Sequence, residues 1–130
     1  NHIIVVGITK LQDVLKCSDH IFRQKIIDFR KIGLVDFPTS IFGGGIIPES
    51  ITQLYLSNNH LKIVPDTIMH FTSLSILDIS DNRITRLPAH VWTVATMEYL
   101  NASYNQIQVI PGGILECQLL EKIDFSFNPI

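Results

Sequence analysis

The residues best suited to acid–base or metal chemistry in this 130-residue chain are its five histidines, His2, His20, His60, His70 and His90. Metal ligation and proton relay both need several such groups brought to one point. These histidines occupy unrelated slots of the periodicity described below, so no metal site is expected. Cys17 and Cys117 lie 100 positions apart, which suits neither a disulfide framework nor a metal motif. They are expected to be reduced thiols, with Cys117 acting as a small core hydrophobe. The run Gly43-Gly44-Gly45 hints at a phosphate cradle, but Ile46-Ile47-Pro48 follows where Gly-Lys-Ser/Thr would be required. It is expected to be a loop. Ser57, Ser80, Ser103 and Ser126 recur in register without a histidine or cysteine partner, and are read as small packing residues. Asn101-Ala102-Ser103 matches a glycosylation acceptor and is read as unused. No nucleophile, base and oxyanion donors converge, so no catalytic residue, no cofactor and no enzyme activity are expected.

Composition narrows the classes further. The chain is 46% hydrophobic and 17% charged, with a net charge of −2 and no basic run. A disordered tail is excluded, and a non-specific grip on nucleic acid has no electrostatic basis. The longest aliphatic run, Ile3-Ile4-Val5-Val6, is far short of the roughly 20 residues of a membrane helix, so no membrane insertion is expected. No basic region precedes a long apolar stretch, so no signal peptide is read. The absence of an initiator Met, and a stop at Asn128-Pro129-Ile130 partway through a repeat, lead us to expect a piece of a longer parent chain with further repeats or domains. With only two cysteines, a cytoplasmic location is expected.

The strongest signal is a repeat. Asn59, Asn82, Asn105 and Asn128 are spaced by 23 residues, and so are Pro65, Pro88 and Pro111. The surrounding text reads LYLSNNHLKIVP, LDISDNRITRLP, LNASYNQIQVIP and IDFSFNPI, a pattern L-x-L-x-x-N-x-L-x-x-L-P. Two divergent copies precede these, one at Ile27 to Pro38 and one starting at Ile4. The core slots of the six copies are Ile4, Val6, Leu11; Ile27, Phe29, Leu34; Leu54, Leu56, Leu61; Leu77, Ile79, Ile84; Leu100, Ala102, Ile107; and Ile123, Phe125, Ile130, all apolar. Allowing for the freedom to choose register, chance gives this on the order of once in ten thousand, so the period is real. Alternation at the strand positions predicts short β-strands. Between them apolar residues recur every third position, as in Pro65, Ile68, Phe71, Leu74, which predicts 3₁₀ or loose helical turns. Residues 1–53 form a divergent part, with Thr9 and Ile32 in the asparagine slots, a short helix near 18–25 and an insertion near 42–50. Residues 54–130 are regular.

This pattern resembles the leucine-rich-repeat family, in the 23-residue form with Leu-Pro-x-x-Ile after the turn, similar to intracellular Ras-adaptor and Scribble-type scaffold repeats. The resemblance implies an α/β class fold: one right-handed leucine-rich-repeat solenoid over 1–130, about six repeats, with a curved parallel sheet on a concave face and short 3₁₀ or helical turns on the convex face. It has physical sense. A lone short strand cannot bury its apolar face, whereas stacked copies close a continuous core. The asparagines are expected to form a structural ladder, Asn59, Asn82, Asn105 and Asn128, because a buried amide supplies donors and acceptors to turn backbone that has no sheet partner.

Side chains alternate along a strand, so residues between and just after the core slots are expected on the open face. Partner contact is therefore assigned to Tyr55, Asn58, His60, Asp78, Asp81, Arg83, Asn101, Tyr104, Gln106, Asp124 and Phe127. Tyr104 beside Phe127, rimmed by Asp78, Asp81 and Asp124, has the makeup of a protein-contact patch. The expected function is a non-catalytic protein–protein interaction module, within a larger intracellular signalling or scaffold protein, that takes another protein on its concave face. The alternative is a regulatory repeat region of an attached phosphatase, kinase, cyclase or GTPase. An extracellular receptor would show cysteine-rich flanking caps, which are absent here.

Overall fold

Each regular repeat places an apolar residue between two others that face away from it, and this triplet is extended. In the computed structural model, which describes residues 26–37, 47–64, 66–88, 96–113 and 117–130, the triplets are β1 (Ile26–Asp28), β2 (Gln53–Tyr55), β3 (Ile76–Asp78), β4 (Tyr99–Asn101) and β5 (Lys122–Asp124). They form one parallel sheet in sequence order. The central residues Ile27, Leu54, Leu77, Leu100 and Ile123 lie opposite one another in unbroken register. The hydrogen bonding continues one residue beyond the strands: Phe29 N donates to Tyr55 O, Leu56 N to Asp78 O, Ile79 N to Asn101 O and Ala102 N to Asp124 O, at 2.8–2.9 Å. The insertion between β1 and β2, which separates Ile27 from Leu54 by 27 residues, therefore leaves the strand pairing in register. The copy expected at residues 4–14, the helix near 18–25 and Gly43 to Gly45 lie outside the described residues.

The rhythm of three between strands is seen where it is described. Two 3₁₀ turns, Pro48–Ser50 and Asp66–His70, lead into β2 and β3. Pro48 opens the first, where its missing N–H costs nothing. Ile68, Phe71 and Leu74 descend from the second into the core and are fully buried or nearly so. Phe37 and Phe71 meet edge-to-face at 6.2 Å between ring centroids, joining the first described repeat to the turn below it. A single apolar cluster runs from Ile27 to Cys117, with Ile32, Ile110, Leu120, Ile123 and Phe125 packed against it.

The last repeat departs from the expectation of a filled core slot throughout. Ile123 and Phe125 are only half-buried and Ile130 is exposed. Among the described residues β5 pairs with β4 alone. Apolar identity places a residue toward the core, but a neighbouring repeat is what buries it.

At the end of each strand the chain turns, and four asparagine amides take up the backbone groups released there. Asn82 Nδ2 donates to Leu56 O, Ile79 O and Ser80 O at 3.0–3.1 Å, and its Oδ1 accepts from Leu61 N at 3.0 Å. Asn105 repeats the arrangement with Ile79, Ala102, Ser103 and Ile84, and Asn128 with Ala102, Phe125, Ser126 and Ile107. Asn59 Nδ2 donates to Phe29 O, Leu56 O and Ser57 O, while its Oδ1 accepts two N–H groups, from Ile32 and Leu34. The repeat with Ile32 in place of asparagine thus has its turn completed by the following repeat. Gly33 in that turn has φ +73°, a conformation open to glycine at little cost. Asn82→Leu keeps the size and removes the amide. It is expected to lower unfolding stability by at least about 2 kcal/mol, the cost of leaving buried backbone groups unpaired, as measured by urea titration.

Candidate functional site

The sheet has two faces, and the residues flanking the core position of each strand share the one turned away from the core. One row holds Asp28, Tyr55, Asp78, Asn101 and Asp124. A second row, two positions earlier, was not assigned from sequence: Ile26, Gln53, Ile76, Tyr99 and Lys122. Both belong to this face because alternation returns every second residue to the same side. The missed row contributes ring and charge. Lys122 Nζ lies 5.4 Å from the Tyr99 ring centroid and the Tyr55 hydroxyl donates to Gln53 Oε1 at 2.7 Å.

Several of the acidic and amide residues on this face are already engaged by their own turns. Asp78 Oδ1 accepts from Ser80 N at 3.0 Å and from its hydroxyl at 2.7 Å. Asn101 does the same with Ser103, and Asp124 with Ser126. Ser80, Ser103 and Ser126 are therefore hydroxyl donors in a repeated side-chain turn, not merely space-filling groups as their size suggests. Ser57, which follows Tyr55, instead accepts from Asn58 Nδ2 at 3.5 Å, and Ser57 and Ser103 are buried. Asp28 instead binds Arg30, accepting from its backbone N–H and from two guanidinium nitrogens. Arg30 also lies over the Tyr55 ring, 5.0 Å from its centroid. The bond to Asp28 is the chief reason the Arg30 pKa is raised. Burial pushes the Tyr55 phenol up, against an opposing pull from the Arg30 charge.

The next positions form the most exposed row: Lys31, Asn58, Asp81, Tyr104 and Phe127, all exposed. All five are left-handed, with φ between 53° and 59°. Asn and Asp accept this region readily, but a large aromatic residue is strained there by on the order of 1 kcal/mol. The strain is held by the stack itself. Lys31 N, Asn58 N, Asp81 N and Tyr104 N donate to the carbonyls of Ser57, Ser80, Ser103 and Ser126, one repeat ahead, at 2.9–3.2 Å. Tyr104 and Phe127 stand side by side, their rings stacked at 4.3 Å between centroids and 9° between planes, 54% and 70% exposed. Beyond the asparagines, His60, Arg83, Gln106 and Pro129 are exposed along the rim. None of the eleven residues assigned to partner contact is buried. Tyr55, Asp78, Asn101 and Asp124 are intermediate and the rest exposed. Among the described residues no group of three His, Cys, Asp or Glu side chains is arranged to hold a metal ion, and no helix is long and apolar enough to cross a membrane.

The hydroxyl of Ser126 and then its backbone N–H hold the Asp124 carboxyl below its ordinary range. A carboxyl with a lowered folded-state pKa adds stability above its unfolded pKa, and that contribution is lost as pH falls through the folded value. Ser126→Ala is expected to move the Asp124 titration upward, toward an ordinary aspartate. A carbon-13 NMR pH titration of the Asp124 carboxyl reads it.

Family models for the leucine-rich repeat match residues 50–71 and 72–130, without a gap between them. No curated protein sequence matches. Among solved structures, a leucine-rich-repeat protein of Leptospira interrogans superposes on 99% of this chain with a TM-score of 0.76 at 20% identity, and the chain spans 38% of that protein's length. The structure of the TLR13 complex with a single-stranded RNA is similar over 94% of the chain, with a TM-score of 0.73 at 18% identity and 17% of the longer chain covered. The Drosophila Toll–Spatzle complex gives 0.71 at 25% identity over 89% of the chain and 15% of the other. With its strands in parallel register, its asparagine amides between turns and these matches to the repeat, the chain belongs to the leucine-rich-repeat family.

Proposed function

We propose that this repeat domain is a non-catalytic protein-binding module that takes another protein on the open, concave face of its sheet. The observation that carries the reading is the Tyr104–Phe127 pair. Two large aromatic rings stand exposed and stacked at left-handed backbone positions, and Tyr104 is held there by its N–H bond to Ser126 O of the next repeat. Rigid exposed aromatic residues lose little entropy on binding and are typical interface anchors. The rim supplies orientation: Asp81 and Arg83 present opposite charges without an ion pair to one another among the described residues, beside His60 and Gln106.

Leucine-rich-repeat domains are typical protein-interaction modules, and the Toll–Spatzle structure is a complex. The TLR13 structure holds RNA, but here the cations Arg30, Lys31 and Lys122 are interspersed with Asp28, Asp78, Asp81 and Asp124 and form no basic stripe for a phosphate backbone, in a chain of net charge −2. A protein partner fits this charge better. In the cell we place the domain in a cytoplasmic signalling or scaffold protein of the Ras-adaptor or Scribble type, on the LPxxI form of the repeat and the scarcity of cysteine.

Tyr104→Ala and Asp81→Lys are both exposed substitutions. Each is expected to leave the melting temperature within about 2 °C of wild type, since surface changes typically cost under about 0.5 kcal/mol. Each is also expected to weaken capture of the partner in a quantitative pull-down by about tenfold or more. Full retention of every captured protein by both variants would refute the assignment of this face.

A further inference from the structure

The flank of the solenoid beyond the asparagine ladder carries a second surface. The segments after Leu61, Ile84 and Ile107 run side by side, tied by Arg83 N donating to Leu61 O and Gln106 N donating to Ile84 O, each at 2.8 Å. Ile63, Arg86 and Val109 hold the same slot in these three segments. Adjacent repeats are about 4.8 Å apart, so an apolar residue, a cation and an apolar residue stand in line. Ile63, with a described repeat on either side, is 58% exposed, a high value for an aliphatic side chain, and Val109 is 70% exposed.

Two depressions share Arg86. One, of about 980 Å³, includes Val109, Pro111 and Pro129 in its wall; the other, of about 410 Å³, includes Val64 and Pro88. Ile63, Arg86 and the nearly buried Leu87 line both. Among the described residues Arg86 is the one charged residue in either lining. Its guanidinium has no hydrogen bond or ion pair among the described residues. Asp36, which holds the same slot one repeat before Ile63, lines neither depression.

We propose that this flank binds a peptide segment of a protein partner in which one carboxylate lies between apolar side chains. The carboxylate pairs with the unengaged Arg86 guanidinium, whose planar fork matches it. The apolar side chains on either side enter the two depressions, against Val109 and Pro111 in one and Val64 and Pro88 in the other. Charge selects this occupant: a basic or neutral segment would leave Arg86 covered and unpaired, a costly state for a desolvated cation. The inference is independent of the open sheet face, because Tyr104, Phe127 and Asp81 line neither depression.

Fluorescence anisotropy on the whole 130-residue chain tests it, with a short labelled peptide carrying a single glutamate flanked on both sides by leucines. Saturable binding is expected. Changing the peptide's glutamate to glutamine, or Arg86→Glu in the protein, should each weaken it by about tenfold, as loss of a charge-assisted pair does. A lysine-centred peptide should recover affinity for the Arg86→Glu variant, and Ile63→Ser should weaken every peptide. Tyr104→Ala should change nothing, which separates this site from the sheet face. No saturable binding by wild type up to ~1 mM, equal binding of glutamate and glutamine peptides, or retention by Arg86→Glu would each overturn the proposal. Concentration-dependent self-association that disappears in Arg86→Glu would also overturn it, by assigning the flank to a second copy of the chain.

Discussion

Turn backbone cannot be buried with its polar groups unpaired, and in this protein one carboxamide per regular repeat solves that problem. A strand of three residues ends after a few hydrogen bonds, and the chain must then enter a turn within reach of the core. The N–H and C=O groups left there would each cost about 1–3 kcal/mol if desolvated alone. The amides of Asn59, Asn82, Asn105 and Asn128 meet both kinds of group at once, within their own turn and in the one before. The constant spacing of these residues is what allows the strands to stay in register, and that register lets Ile27, Leu54, Leu77, Leu100 and Ile123 pile into one core.

The same turn creates the most exposed row of the molecule. Because it is tight, the residue just before the asparagine slot is left-handed in every described repeat, and its side chain is pushed outward. Lysine, asparagine, aspartate, tyrosine and phenylalanine therefore succeed one another at nearly identical backbone geometry. The scaffold is uniform and the display is not. A change of side chain in this row alters chemistry while leaving the supporting hydrogen bonds, which involve backbone atoms alone, in place. The acidic and amide residues three positions earlier, Asp78, Asn101 and Asp124, are less free, since their Oδ1 atoms already serve the serines two residues on.

The parallel sheet was legible in the sequence because period and alternation are properties of residue type alone: Leu54, Leu77 and Leu100 announce their own alignment by their spacing. The 3₁₀ turn at Asp66–His70 was legible for the same reason, through Ile68, Phe71 and Leu74. Other features depend on partners that spacing does not name. The left-handed row was hidden because Tyr104 and Phe127 are poor indicators of that conformation, although Asn58 and Asp81 in the same slot were a signal. The serine hydroxyls were hidden because their acceptors lie two residues back, inside what reads as a simple strand. The row of Gln53, Tyr99 and Lys122 was overlooked by counting outward positions only after the core residue and not before it. The half-burial of Ile123 and Phe125 depends on what stacks beside them, which residue type does not encode.

The amide ladder also has a direction. Each asparagine reaches toward the repeat that precedes it: Asn59 serves the turn at Ile32 and Leu34, Asn82 the segment at Leu61, Asn105 that at Ile84 and Asn128 that at Ile107. A turn is thus finished by its successor as well as by its own residues. During synthesis from the N-terminus, a newly made coil stays chemically open until another 21 to 27 residues have emerged, so closure trails the ribosome by about one coil.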